Sequence, residues 1–379
     1  MSDADRTRTP WVAWAAPAAI LAIDTRVALA NTPFVGVTGA DFRAFWTSGV
    51  LLVQGANPYT PPVGTLPNLN PPIWLPAFAL LSHVNPVLGY CVWAVLSLAL
   101  FTGLLALGLH RWHPRRPVFV ASWLLASYPL WETITVGQVY VLVAVLVLGA
   151  FALWPRHPVV TGVLIGATIA LKPNLAVWPV LLALDGDLGS GLLAVLVALI
   201  MSATSVLWYG PATLGSWLTA ARDYDGVASL INGSLAGLAY QVKMPGAAVF
   251  GSVLLLLGSA AIVHLRRPGF FGTSSLAVLA GLLAAPVAWP GYLLLLLPMF
   301  LAWTWDGPWL GLVALTVLPN VVLGLLPAVG LLYPTIYLLL YARVVWRCCT
   351  RRPPITTAPL GHHLVRTSNS DSAASGSRR

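Results

Sequence analysis

The chain has 379 residues, of which 58% are hydrophobic and only 8% charged, with a mean hydropathy of +0.82 and a formal net charge of +9. So little charge cannot cover a soluble protein of this length, which excludes a water-soluble fold and makes the bilayer the solvent. The positive balance does not point to nucleic acid, because basic residues of membrane proteins collect in the loops that stay in the cytoplasm.

Lipid leaves only helical bundles or closed barrels, and the Leu/Val/Ala runs lack the alternation of barrel strands. An all-α integral membrane bundle is therefore predicted. Hydrophobic segments fall at 11–30, 86–109, 117–131, 137–154, 158–171, 173–184, 188–208, 246–265, 272–287, 291–304, 309–319 and 321–342, about 12 in all. Several are shorter than a full crossing, which implies half-helices or a locally thin bundle and, with either, a recessed polar cavity.

The first segment follows Arg6 and Arg8 but carries Asp24 and Arg26 and lacks a clear cleavage site, so it reads as a retained signal-anchor helix. Two long stretches, 31–85 and 209–245, lie between spans. Their short apolar patches at 42–53 and 73–81 suit helices in the interface, with Trp46 and Trp74 as anchors. Residues 1–349 form one membrane domain, and 350–379, rich in Ser, Thr, Pro and Arg, is expected to be a disordered cytoplasmic tail. Cys91, Cys348 and Cys349 suggest neither a disulfide framework nor a metal site.

The basic residues orient the bundle. Arg6, Arg8, Arg111, Arg115, Arg116, Arg156, Arg266, Arg267 and the residues from Arg343 onward make 15 of the 20 Lys and Arg, and they fit one side. Arg26, Arg43, Lys172, Arg222 and Lys243 fall on or near the other. The bias makes the larger group cytoplasmic, with both termini inside a cell inner (plasma) membrane and both long loops outside. This parity needs separate passes at 158–171 and 173–184, with Lys172-Pro173 at an outer turn.

Few groups on the outer side carry chemistry. Asp41 stands just outside the membrane among aromatic residues, where a raised pKa suits a general base, and it also suits a helix N-cap. Lys172 is the most isolated charge in an apolar neighbourhood and is suited to holding a phosphate, or to snorkelling toward headgroups. Arg43, Arg222 and Lys243 are weaker candidates for the same anion. Asp223 and Asp225 have a spacing that oxygen ligation of a divalent ion could use, but a solvated loop is the simpler reading. Glu132, the chain's one glutamate, sits with Gln138 at an outer turn, where it could bond sugar hydroxyls or cap helices. Of the histidines before the tail, only His83 is external, which argues against histidine catalysis. No metal site or cofactor is expected.

Taken in order, these segments resemble the membrane glycosyltransferases of GT-C fold, and most closely glycosyltransferase family 87, the bacterial polyprenyl-phosphate-mannose-dependent mannosyltransferases. The matching pieces are Asp41; Gly55, Asn57, Pro58 and Tyr59; Pro71 and Pro72; Gly137 and Gln138; Lys172 and Pro173; Asn232 and Ser234; and Pro286 and Trp289. The resemblance implies inverting transfer of a sugar, with mannose first, from a polyprenyl-phosphate donor to a lipid-linked glycan acceptor outside the cytoplasm. Asp41 would be the base, and Lys172, with Arg222 or Arg43, would hold the donor phosphate. Asn57, Tyr59, Gln138, Asn232, Trp289 and Tyr292 would bind substrate. Three positions depart from the family pattern. Pro290-Gly291-Tyr292 follows Trp289 where histidine is usual, Tyr140 replaces an Asn, and Phe45 or Trp46 replaces a Tyr. A transporter or lipid flippase, or a non-catalytic member of an envelope-synthesis complex, are the alternatives.

Overall fold

The structure is a computed structural model that describes residues 11–30, 36, 38–317 and 329–350. The predicted tail 350–379, apart from Thr350, and residues 318–328, which take in the end of the segment 309–319 and the start of 321–342, lie outside the described residues. The described residues form an all-helical bundle without strands. In chain order the helices are α1 Trp11–Ala30, α2 Ala40–Val53, α3 Leu75–Leu81, α4 Pro86–Trp112, α5 Pro117–Leu125, α6 Tyr128–Val136, α7 Tyr140–Leu153, α8 Pro158–Leu171 and α9 Val177–Asp185. They continue with α10 Leu188–Tyr209, α11 Pro211–Asp223, α12 Leu235–Gln241, α13 Ala247–Arg266, α14 Gly269–Ala284, α15 Leu297–Ala302, α16 Gly307–Val317 and α17 Val329–Thr350.

Among the described helices, α4, α10 and α13 are long and apolar enough to cross a membrane. Much of their apolar surface is exposed. On α13, Val249, Phe250, Val253, Leu254 and Leu257 all face outward. Such a face is stable only against lipid, so the chain is a membrane protein. Several short helices fill the interior instead. The 3₁₀ segment Pro290–Leu296 and α15 are buried at every position, a run too apolar for any exposed surface in water.

Packing contacts fix the directions of the helices. Gly162 faces Leu193 and Gly166 faces Ala194 and Val197, so α8 and α10 run the same way. A tight turn at Gly186 and Asp187 joins α9 to α10, and Gly191 meets Pro179 and Ala183, so these two run oppositely. The chain therefore reverses at Lys172, which leaves helical geometry at φ −144° just before Pro173. This is the turn that the charge parity requires. Asp185 accepts a hydrogen bond from the Gly269 N–H at 3.3 Å, and Gly281 packs on Asn174, so α14 climbs from the foot of α9 back to the level of Lys172.

The result is a molecule with two chemically different ends. One gathers the starts of α2, α4 and α7, the Lys172 turn, the 209–234 loop region and residues 285–292. The other holds Arg111, bonded to the Ala152 carbonyl, and Arg343 and Arg347 around Asp306. Arg347 and Arg343 also lie over the rings of Trp303 and Trp346.

Two expectations change. Trp74 is not an interface anchor: it is buried at 6% exposure and its Nε1 donates to the Leu171 carbonyl, because the 3₁₀ turn Pro72–Trp74 tucks against the end of α8. The segment 117–131 is also not one continuous helix. It breaks between α5 and α6, where Ser127 precedes Tyr128-Pro129, a residue pair that can start a helix but not continue one.

Candidate active site

A cavity of about 470 Å³ opens at the end away from the arginine cluster, within the range of small-molecule sites. Asp41, Glu132, Gln138 and Lys172 line it together with a set of aromatic rings.

Asp41 lies in the first turn of α2 but does not cap it. Gly39 occupies the N-cap position with φ 71°, and its N–H donates to the Thr135 carbonyl at 2.7 Å. The carboxylate is left for a tertiary partner: Gln138 Nε2 donates to Asp41 Oδ2 at 2.7 Å. Gly137 makes this approach possible. It ends α6 with φ 77°, and a Cβ there would sit 2.5 Å from that of Phe42.

Lys172 sits in an aromatic corner. Its Nζ is 3.6 Å from the centroid of the Tyr292 ring and 5.4 Å from that of Tyr140, and the two rings meet edge to face at 4.5 Å. No carboxylate among the described residues pairs with it. An ammonium ion held only by ring faces is available to an incoming anion.

None of Asp41, Glu132 and Lys172 belongs to the three membrane-length helices. Burial raises Asp41 to about 6, against the lowering effect of the Gln138 hydrogen bond. Burial, and then the neighbouring Asp41 charge, raise Glu132 to about 8, with the Gly291 N–H opposing. Burial lowers Lys172 to about 7. At pH 7 the arrangement is one carboxylate, one neutral carboxylic acid and one ammonium ion near its midpoint.

The remaining predicted residues divide. Gln138, Trp289 and Tyr292 line the cavity. Asn57 and Tyr59 shape the loop above it: Asn57 Oδ1 accepts from the Tyr59 N–H, Asn57 Nδ2 donates to Ser216, and the buried Tyr59 hydroxyl donates to the Asn70 carbonyl. Asn232 is fully buried and acts as a clamp, donating to the Pro286 carbonyl at 3.0 Å and accepting from the Ala288 N–H at 2.9 Å. Arg43 is exposed and does not line the cavity. Arg222 is also outside it, 78% exposed and paired with the adjacent Asp223 at 2.8 Å, because the end of α11 points its charges to solvent. Among the described residues, Lys172 is thus the cavity's only basic lining residue.

Tyr140, Trp217 and Tyr224 also line the cavity, beyond the residues that the sequence marks as binders. In the sequence, Tyr140 stands out only as a departure from the family pattern. The sequence signal for the other two is no more than an aromatic residue in a long loop region.

The family model for glycosyltransferase family 87 matches residues 68–290, more than half of the chain. The chain belongs to glycosyltransferase family 87. It is therefore a membrane-embedded glycosyltransferase that uses a sugar donor and an acceptor, and this takes the place of the transporter and scaffold alternatives. No curated protein and no solved structure matches the chain. The match spans the Lys172 turn, Gln138 and the approach to Tyr292, while Asp41 precedes it.

Proposed function

We propose that this glycosyltransferase moves a sugar, mannose first, from a polyprenyl-phosphate donor to a lipid-linked glycan acceptor on the extracytoplasmic face, with inversion. The observation that carries this reading is the placement of Asp41 and Lys172 on one aromatic-lined cavity, at the end of the bundle opposite its arginine cluster. By charge bias the arginine end faces the cytoplasm, which makes the cavity end extracytoplasmic.

The chemistry follows from the two charges. The Asp41 carboxylate takes the proton of an acceptor hydroxyl as that oxygen attacks the anomeric carbon. The new carbon–oxygen bond forms on the face opposite the phosphate. The old bond breaks with its electron pair going to the phosphate oxygen. A phosphate leaves as a stable anion, so it needs charge stabilisation more than a proton, and the Lys172 ammonium supplies it. Gln138 holds the carboxylate toward the cavity. With the ammonium in this role, transfer is expected to persist in EDTA.

The test uses the full chain in lipid nanodiscs with a short-chain polyprenyl-phosphate mannoside and an envelope lipid extract, with product read by mass spectrometry. Wild type should transfer the sugar, and Asp41→Asn should lose at least about 100-fold in kcat. Unchanged turnover in that variant would remove Asp41 as the base. A preference for a different sugar would replace mannose and leave the mechanism standing.

A further inference from the structure

Glu132 has no part in the transfer steps just described, yet it lines the same cavity, and although the Gly291 N–H favours its carboxylate, its Oε2 makes no hydrogen bond of normal geometry. A buried polar oxygen without a partner is rare enough in folded proteins to require an explanation. Thr133 Oγ1, the neighbouring side chain, is orphaned as well. Both atoms face Gly291, where a Cβ would sit 2.6 Å from each of them and 2.5 Å from the Tyr140 ring. Any larger residue at 291 would push into these groups. Glycine lets the Glu132 carboxyl group, Thr133 and the Tyr140 ring pack directly on the backbone beside Tyr292, which holds Glu132 in place at the cavity wall.

The position of this carboxyl group matters. Tyr292 carries the Lys172 ammonium on its ring, and Gln138 carries Asp41 only two residues before Tyr140. Glu132 thus lines the same cavity as the cation that would hold the phosphate and the base that would meet the acceptor. In an in-line displacement the donor sugar occupies the space between those two groups. A carboxyl group offers two oxygens to neighbouring hydroxyls, and the adjacent ring faces suit the C–H face of a sugar. In neutral form the same group both donates and accepts.

We infer that Glu132 is a specificity-determining residue whose carboxyl group, at the cavity wall beside Tyr140 and Tyr292, reads hydroxyl groups of the donor sugar. This rests on the transfer reading above and adds to it the group that tells one donor sugar from another.

The experiment compares wild type, Glu132→Leu and Glu132→Gln in nanodiscs, with the polyprenyl-phosphate mannoside and its 2-, 3-, 4- and 6-deoxy analogues. A site built to bond a hydroxyl strongly rejects the analogue that lacks it, so at least one deoxy donor should lose about 100-fold or more in kcat/KM with wild type. In Glu132→Leu that ratio should collapse to within about threefold, because the intact donor loses the same bond. Glu132→Gln should keep part of the discrimination. A wild-type ratio retained in Glu132→Leu, or no discrimination by wild type against any deoxy donor, overturns the inference, including the case in which Glu132 only holds a structural water. If Glu132→Leu does not fold, Gly291→Ala crowds the same oxygen and should flatten the same ratio. If wild type transfers no sugar, the failure belongs to the transfer reading, and donor-induced shifts in Tm for the same donors and variants decide this one by the same ratios.

Discussion

At the scale of single residues, the site depends on two groups whose burial moves them toward each other in pKa. Asp41 must be ionised to act as a base and Lys172 must be charged to hold a phosphate. The base is active above about 6 and the cation is present below about 7. The kcat/KM profile of the free enzyme should therefore be a narrow bell, rising through about pH 6 and falling through about pH 7. Removing the hydrogen bond that favours the Asp41 carboxylate, in Gln138→Leu, should move the acid limb to higher pH and leave the alkaline limb in place. An unmoved acid limb would mean that Gln138 does not tune the base. Lys172→Met keeps the length of the side chain without its charge. It should lower kcat by about 100- to 1,000-fold, the scale for loss of one preorganised charge at a leaving group, as read in single-turnover transfer.

At the scale of elements, short pieces are held by side chains that accept or donate to backbone across the chain. Asn232 binds the loop of residues 224–234 to the stretch 286–288 through both ends of its amide. Asn232→Ala leaves the Pro286 carbonyl and the Ala288 N–H short of partners in a buried place. It should destabilise the protein by roughly 2–4 kcal/mol, visible as a lower Tm without added substrate. The pair α2 and α3 depends on Gly49, where a Cβ would lie 2.0 Å from the Phe78 carbonyl oxygen. Gly49→Val should force these helices apart and lower both Tm and activity, because α2 carries Asp41. The limits of elements were readable where apolar runs meet Pro, Gly or Arg: 11–30 and 158–171 coincide with α1 and α8, and 188–208 falls one residue short of the end of α10. They were less readable where a long-range contact decides, as at Trp74, whose indole serves the end of α8 instead of a headgroup.

At the scale of the whole molecule, the two ends predict two accessibilities. In a background with Cys91, Cys348 and Cys349 changed to Ser, a cysteine at Ala228 should label with a membrane-impermeant maleimide in intact cells. One at Arg115 should label only after the membrane is opened. Labelling in the opposite sense would invert the orientation and place the cavity on the cytoplasmic side. The exposed apolar faces of α4, α10 and α13, the helices long enough to cross a membrane, are the surface suited to lipid.

Composition and charge distribution were enough to specify a helical membrane protein and the reversal at Lys172, because hydropathy and charge act on each segment separately, while the link to family 87 came from the resemblance of its ordered motifs. Selection among the charged candidates required the tertiary structure. Asp41 and Lys172 share a cavity with Glu132, while Arg43 and Arg222 remain in solvent, and Asn57, Tyr59 and Asn232 turn to backbone partners. Whether a polar side chain meets substrate or backbone depends on what packs beside it from distant parts of the chain, and no local pattern records that.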